Sequence, residues 1–404
     1  MLDIGVVVLQ MNAEPVVDDV SKHLSAPDGG WGWIVLFGSS VAFFIADGWS
    51  YSFGVLFPSI VEYFDESRGA TALVGTLLYA TPMIISPLAC ALVAAYGCRP
   101  VCVCGGVLTG MSLAVASTAH SVVSLSIIVG LLSGIGLAMV YVSSLFIVTI
   151  YFDRRRGLAT GLAVTGSAIG ALVFPPLIEW LDEMYAWRGS ILVAGSICLH
   201  IVPAGMLYRP LPVSVHGNNV SDMTQMSYLR RLLAECRQIL SSMWSQTVLT
   251  SCPFWVFCVA SFILFLWVSI PFLYIVDLAL LNGVAKVSAA LLLSLAGGGR
   301  IIGQIVFGII GDMQQISSVG LYGFGAAVGG VAITLVPIIA SIYPALAISM
   351  VIFGVAMSVG YVLPVICLVK MVGFDNSVNA FGILQLAQGI AILLGTPIAG
   401  NFTI

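Results

Sequence analysis

A chain of 404 residues, 60% hydrophobic and only 8% charged, has too little polar surface to cover a soluble globule of its size. Its apolar residues fall in long unbroken runs rather than alternating, which selects helices over a barrel as the form that satisfies the backbone across about 30 Å of hydrocarbon. A net charge of −4 offers nothing for nucleic acid to bind, and 9 cysteines that sit mostly inside apolar runs argue against a disulfide framework.

In chain order, residues 1–27 hold a short apolar patch without a basic flank, which is not a signal peptide, and are expected to form a cytoplasmic tail. Residues 28–57 open with Asp28-Gly29-Gly30-Trp31-Gly32-Trp33 and continue as a first span interrupted by one charge, Asp47. A carboxylate inside a bilayer is costly unless paired or wetted, so Asp47 is a candidate functional group that needs a partner. A loop with Glu62, Asp65, Glu66 and Arg68 leads to span two at 70–96, which holds Pro82 and Pro87. Cys98, Cys102 and Cys104 follow, without the His or second Cys pair that a zinc site requires, and no metal is expected.

Spans three and four are expected at 101–119 and 122–150, joined at His120. The run Asp153-Arg154-Arg155-Arg156 is the densest charge and reads as an anchor for span five, 157–181. That span is rich in small residues (Gly157, Ala159, Gly161, Gly166, Ser167, Gly170), which let helix backbones approach closely. Arg188-Gly189 opens span six, which stops at Arg209-Pro210. Residues 211–251 are polar, with Arg230, Arg231 and Arg237 on an amphipathic segment, and read as a cytoplasmic linker between an N-terminal bundle, 28–210, and a C-terminal one, 252–404. Spans seven to eleven follow at 254–280, 284–310, 319–339, 345–372 and 378–400, with Lys370 and Asp375 expected to be solvated at the last turn.

Basic residues gather after spans two, four and six (Arg99, Arg154 to Arg156, Arg209, Arg230, Arg231, Arg237) while the opposite loops are mostly acidic, so the amino terminus is expected in the cytoplasm. Arg300, in span eight, is the partner candidate for Asp47. At 1.5 Å per residue, Asp47 lies about 21 Å from Trp33 and Arg300 about 18 Å from Asp312, so their depths match. Tyr51 and Gln304 each follow by four residues and share a helix face with Asp47 and Arg300 respectively. Phe272, Tyr274, Tyr361 and Gln385 are further cavity candidates. There is no Gly-rich phosphate loop and no Ser, His and acid set, so neither an enzyme nor a cofactor is expected.

The opening Asp28-Gly29-Gly30-Trp31-Gly32-Trp33 resembles the signature of the monocarboxylate transporters, solute carrier family 16. So do Tyr151-Phe152-Asp153-Arg154-Arg155-Arg156-Gly157 with Gly161, Gly166 and Gly170, Trp187-Arg188-Gly189-Ser190, Asn379-Ala380-Phe381-Gly382 and Pro397-Ile398-Ala399-Gly400. The resemblance implies an all-helical major facilitator fold with two bundles, a midplane site between them and alternating access. It also implies a multi-pass plasma-membrane carrier of a small organic anion or zwitterion, with a single-span accessory protein in some relatives. Against that family the chain shows eleven spans, as though a twelfth were missing, and a truncated, non-transporting form or gene-model fragment stands as a reading of another class.

The proton-coupled lactate carriers resembled here place a Lys in span one and an Asp and an Arg in span eight; those positions fall on Tyr51, Arg300 and Gln304. The expectation is a reversed pair, Asp47 with Arg300, where an anionic substrate competes with Asp47 for the guanidinium. Proton coupling through Asp47 and a pH-independent facilitator of aromatic amino acids or other amphiphiles both remain open.

Overall fold

The computed structural model describes residues 28–152, 155–209, 251–312 and 316–402. The N-terminal tail, Asp153, Arg154 and the linker with Arg230, Arg231 and Arg237 lie outside them. The described residues form helices α1 (Trp31–Phe64), α2 (Arg68–Tyr96), α3 (Cys98–Ala116) and α4 (Val122–Tyr151), the last with a π-helical segment at Ser126–Ser133. A helix of 51 residues, Arg156–Met206, follows. At that length it would run about 76 Å, more than twice the hydrocarbon thickness. It breaks at Ala186, whose φ of 57° is left-handed, and so forms two spans, α5 before the break and α6 after it. The rest are α7 (Cys252–Leu281), α8 (Lys286–Asp312), α9 (Ser318–Ile339), α10 (Tyr343–Val372) and α11 (Phe374–Phe402).

Nine helices among the described residues are long and apolar enough to cross a membrane. Splitting the 51-residue helix at Ala186 and counting the apolar Ala380–Gly395 of α11 recovers the expected eleven. Boundaries moved where prolines were tolerated. Helix α1 runs past its expected end at 57 to Phe64, carrying Pro58 inside it and Glu62 on the helix rather than in a loop. Helix α3 starts at Cys98 because Pro100 sits in its first turn, where its missing N–H is no loss.

The small residues of α5 do what their spacing suggests. A Cβ on Gly166 would strike the carbonyl of Ser40 and one on Gly170 the carbonyl of Phe44, so α1 and α5 touch backbone to backbone. On its other side α5 meets α8, where a Cβ on Gly297 would lie 2.6 Å from the Leu172 nitrogen. Thus α5 joins the first helix set (α1–α6) to the second (α7–α11). A second seam runs between α2 and α11, where a Cβ on Gly389 would lie 2.8 Å from the Ile84 nitrogen and 3.0 Å from the Ala80 oxygen.

Large apolar side chains such as Phe37, Met111, Val123, Ile263, Phe324 and Ile338 are exposed around the outside, a surface suited to lipid rather than water. One end of the bundle carries Arg99, Arg155 and Arg209 (the basic face), and the other carries Glu62, Asp182, Glu183 and Asp277 together with Arg68, Arg188 and Lys286 (the acidic face). At the acidic face the two helix sets are clasped by Arg68 Nε to Asp277 Oδ2 at 3.1 Å and by Phe57 against Tyr274, ring centroids 5.9 Å apart.

Candidate functional site

Helix α1 delivers Asp47 and, one turn later, Tyr51 to the seam between the helix sets. From the other side α8 delivers Arg300 and α10 delivers Tyr361. Arg300 Nη2 lies 4.0 Å from Asp47 Oδ2 and donates to Ser167 Oγ of α5 at 2.7 Å. The guanidinium carbon sits 4.5 Å from the ring centre of Tyr51 and 4.5 Å from that of Tyr361, so the cation is held between two aromatic faces. The two tyrosine hydroxyls hydrogen-bond each other across the seam, and Tyr141 of α4 donates to Asp47. Tyr79 donates to the Ser50 carbonyl at 2.9 Å, and Phe272 stacks on Tyr51 at 4.5 Å.

The expected pair of Asp47 and Arg300 is therefore brought into contact. Arg300 has no exposed surface, and its Nε and Nη1 make no hydrogen bond among the described residues. A buried guanidinium with spare donors is expensive unless an anion completes it. Gln304 is equally buried, with neither amide atom paired among the described residues. The helix carrying both is pinned to α10, where Ser358 Oγ donates to the Arg300 carbonyl at 3.1 Å.

Beside this cluster lies a cavity of about 90 Å³, lined by Asp47, Ser50, Tyr51, Tyr141, Tyr361 and Gln385 among others. Pro82 and Pro364 stand in its wall. Each removes an amide that a helix would have bonded to the carbonyl four residues earlier, which leaves the oxygens of Leu78 and Gly360 without that bond beside the cavity. Arg300 and Gln304 are not among the lining residues, whereas the two tyrosines that stack on Arg300 are.

The signature residues do structural work around this site. The Asp28 nitrogen donates to the Tyr151 carbonyl at 3.1 Å, Gly29 accepts from Gly32 at 3.0 Å, and Gly30 turns the chain at φ 56°. Trp31 Nε1 donates to the Leu207 carbonyl at 3.2 Å, and Trp33 meets Phe152 edge-on at 5.3 Å. Together these tie the start of α1 to the ends of α4 and α6. Arg155 is exposed, and Arg156 Nε reaches the Phe152 carbonyl at 3.4 Å. Arg188 donates to the carbonyls of Ser117 and Ala119 at 2.8 and 2.7 Å and stacks on Trp187 at 4.7 Å, so it caps the end of α3.

Lys370 is exposed, as expected, and its Nζ also donates to Ser318 Oγ at 2.8 Å and to the Gly311 carbonyl at 3.4 Å, tying α10 to α8 and α9. Two expectations need correction. Tyr274 packs on Phe57, and Phe272 on Tyr51; neither lines the cavity. Sequence reasoning missed Tyr141 as the donor to Asp47 and saw Ser167 only as a small residue, since neither carries a charge to mark it in an apolar run.

The Major Facilitator Superfamily model matches residues 33–396. The chain is similar to monocarboxylate transporter 4 of Gallus gallus, 30% identical over 392 residues that span 96% of this chain and 80% of that one. It is also similar to monocarboxylate transporter 13 of Bos taurus, 31% identical over 379 residues, 93% of this chain and 83% of the relative. Among solved structures, a point mutant of the nucleoside transporter NupG superposes with a TM-score of 0.63 at 11% identity, covering 92% of this chain and 91% of that one.

Proposed function

The chain belongs to the major facilitator superfamily and, within it, to the monocarboxylate transporters, and from that premise we propose that it carries a small organic anion by alternating access. It is a multi-pass membrane transporter and not an enzyme. The observation that carries the proposal is the buried Asp47 and Arg300 pair at the seam between the two helix sets. The carboxylate of Asp47 occupies the place a substrate carboxylate would take on the guanidinium, so substrate and Asp47 compete for it. Protonation of Asp47 removes the competitor's charge, and a substrate anion then enters with a proton at no net change of charge in the site. Rocking of α1–α6 against α7–α11 exposes the pair to either side in turn.

In this reading the basic face is cytoplasmic and the carrier works in the plasma membrane. The test is uptake of labelled lactate, pyruvate, tryptophan and carnitine into expressing cells at outside pH 6 and pH 7.5. A monocarboxylate whose uptake rises at pH 6, with the rise lost in Asp47→Asn, supports coupling through Asp47. A second reading, a pH-indifferent facilitator of aromatic amino acids or other amphiphiles, is favoured by one observation: Asp47 lines the cavity among tyrosines, as a partner for a substrate ammonium would. Tryptophan uptake equal at the two pH values, with no monocarboxylate uptake, would decide for it.

A further inference from the structure

Gln388 of α11 lines the cavity and is 1% exposed, yet its amide Nε2 has no hydrogen-bond partner among the described residues. A buried amide left unpaired inside a membrane protein is costly, and it persists where something else completes it. Its placement follows from its neighbour. Gly389 brings α11 into backbone contact with α2 at Ala80 and Ile84, so the residue before it is held beside the α2 wall of the cavity. On that wall Ser86 also lines the cavity, 1% exposed; the Cys90 thiol lies beside its hydroxyl, which has no oxygen or nitrogen partner among the described residues. Gln385, three residues before Gln388, lines the cavity from the same helix face.

These groups belong to α2 and α11, whereas the Asp47 and Arg300 cluster is built from α1, α4, α5, α8 and α10. The cavity thus has a charged side and a separate neutral polar side. Neither Gln388 nor Ser86 takes part in the anion reading given above. An amide with a free donor suits a neutral oxygen acceptor, a hydroxyl or a carbonyl, and adds little for an alkyl chain.

We propose that Gln388, with Ser86 beside it, contacts the substrate and sets specificity by hydrogen-bonding an oxygen on the part of the molecule away from its carboxylate. This rests on the carboxylate lying at Arg300, and the test separates the two ideas.

The experiment measures uptake kinetics for butyrate and for 2-, 3- and 4-hydroxybutyrate, which share one carbon count and differ only in whether and where a hydroxyl is present. In the unaltered carrier one hydroxy acid is expected to have a KM below that of butyrate by about three- to tenfold, the worth of one neutral hydrogen bond. Gln388→Met, which keeps volume and flexibility, is expected to collapse that ratio towards one, and Ser86→Ala to reduce it in part. Surface biotinylation confirms that each variant reaches the membrane; if Gln388→Met does not, Ser86→Ala and Gln388→Asn carry the same comparison. An unchanged ratio in the variants, or an equal rise in KM for all four acids, overturns the assignment while leaving the anion reading intact. Absence of uptake of all four acids by the unaltered carrier at the surface overturns both.

Discussion

Removing one member of the Asp47 and Arg300 pair is expected to hurt more than removing both. At 4.0 Å and an effective dielectric constant of ~20, two unit charges attract by about 4 kcal/mol, which is the scale on which each partner offsets the other's burial. Asp47→Asn leaves a guanidinium with no exposed surface, two unpaired donors, one serine and two aromatic faces. Arg300→Met leaves a buried carboxylate with only the neutral hydroxyls of Tyr141 and Ser167 beside it among the described residues and also forfeits both ring contacts. Breaking a buried pair from one side costs about 3–5 kcal/mol, while replacing both charges is often close to neutral. The double variant Asp47→Asn with Arg300→Met should therefore unfold in mixed SDS micelles at a detergent fraction nearer the unaltered protein than Arg300→Met does. If the losses of the two single variants instead add to give that of the double within about 0.5 kcal/mol, the charges are independent and the pairing argument fails. The swap Asp47→Arg with Arg300→Asp is the transport counterpart: it should recover more uptake than either single change.

Gly170→Leu should abolish folded carrier at the cell surface, because its side chain would have to displace the α1 backbone at Phe44; Gly323→Leu on α9, with no atom near its Cβ position, should reach the surface normally in the same blot. Arg188→Lys loses the two-pronged grip on the Ser117 and Ala119 carbonyls and should lower thermal stability in detergent, whereas Arg155→Lys, exposed and remote from any such grip, should leave it unchanged. Asp277→Asn removes the clasp with Arg68 at the acidic face. Since Arg68 is half exposed that change is worth no more than about 1 kcal/mol, and it should raise labelling of Tyr51→Cys by an impermeant maleimide from that side by less than about tenfold.

The fold was legible because its signals are local and repeated. Apolar run length marks each helix, clusters of glycine in α5 mark a seam, and Arg or Lys between runs marks a turn. Helix ends were less legible. Pro58 suggests an ending by its lost N–H, but in an apolar setting the helix continues through it to Phe64. The charged half of the candidate site was legible for a different reason: Asp47 and Arg300 are rare residues in hydrocarbon, and equal depth on helices of fixed rise suffices to pair them. Its neutral half was not. Tyr141, Ser167 and Gln388 resemble residues that merely pack, and what distinguishes them is the identity of the atoms across a seam from another helix. Gln304 shows the converse: its position one turn from Arg300 suggested a shared surface, yet it is buried away from the cavity.

In the proposed mechanism, the placement of the pair couples binding to motion. Asp47 and Tyr51 move with α1, which is locked to α5 through Gly166 and Gly170. Arg300 and Tyr361 move with α8 and α10, which are locked to each other through Ser358. The contacts that cross between these two rigid units at the site are the ion pair, the Arg300 bond to Ser167, the Arg300 stack on Tyr51 and the bond between tyrosine hydroxyls. All of them converge on one guanidinium and its flanking rings. On the proposed reading, an anion that takes the place of Asp47 on Arg300 alters several of these crossing contacts at once, so its binding free energy differs between the two arrangements of the halves. That difference is what a ligand needs to shift a conformational equilibrium.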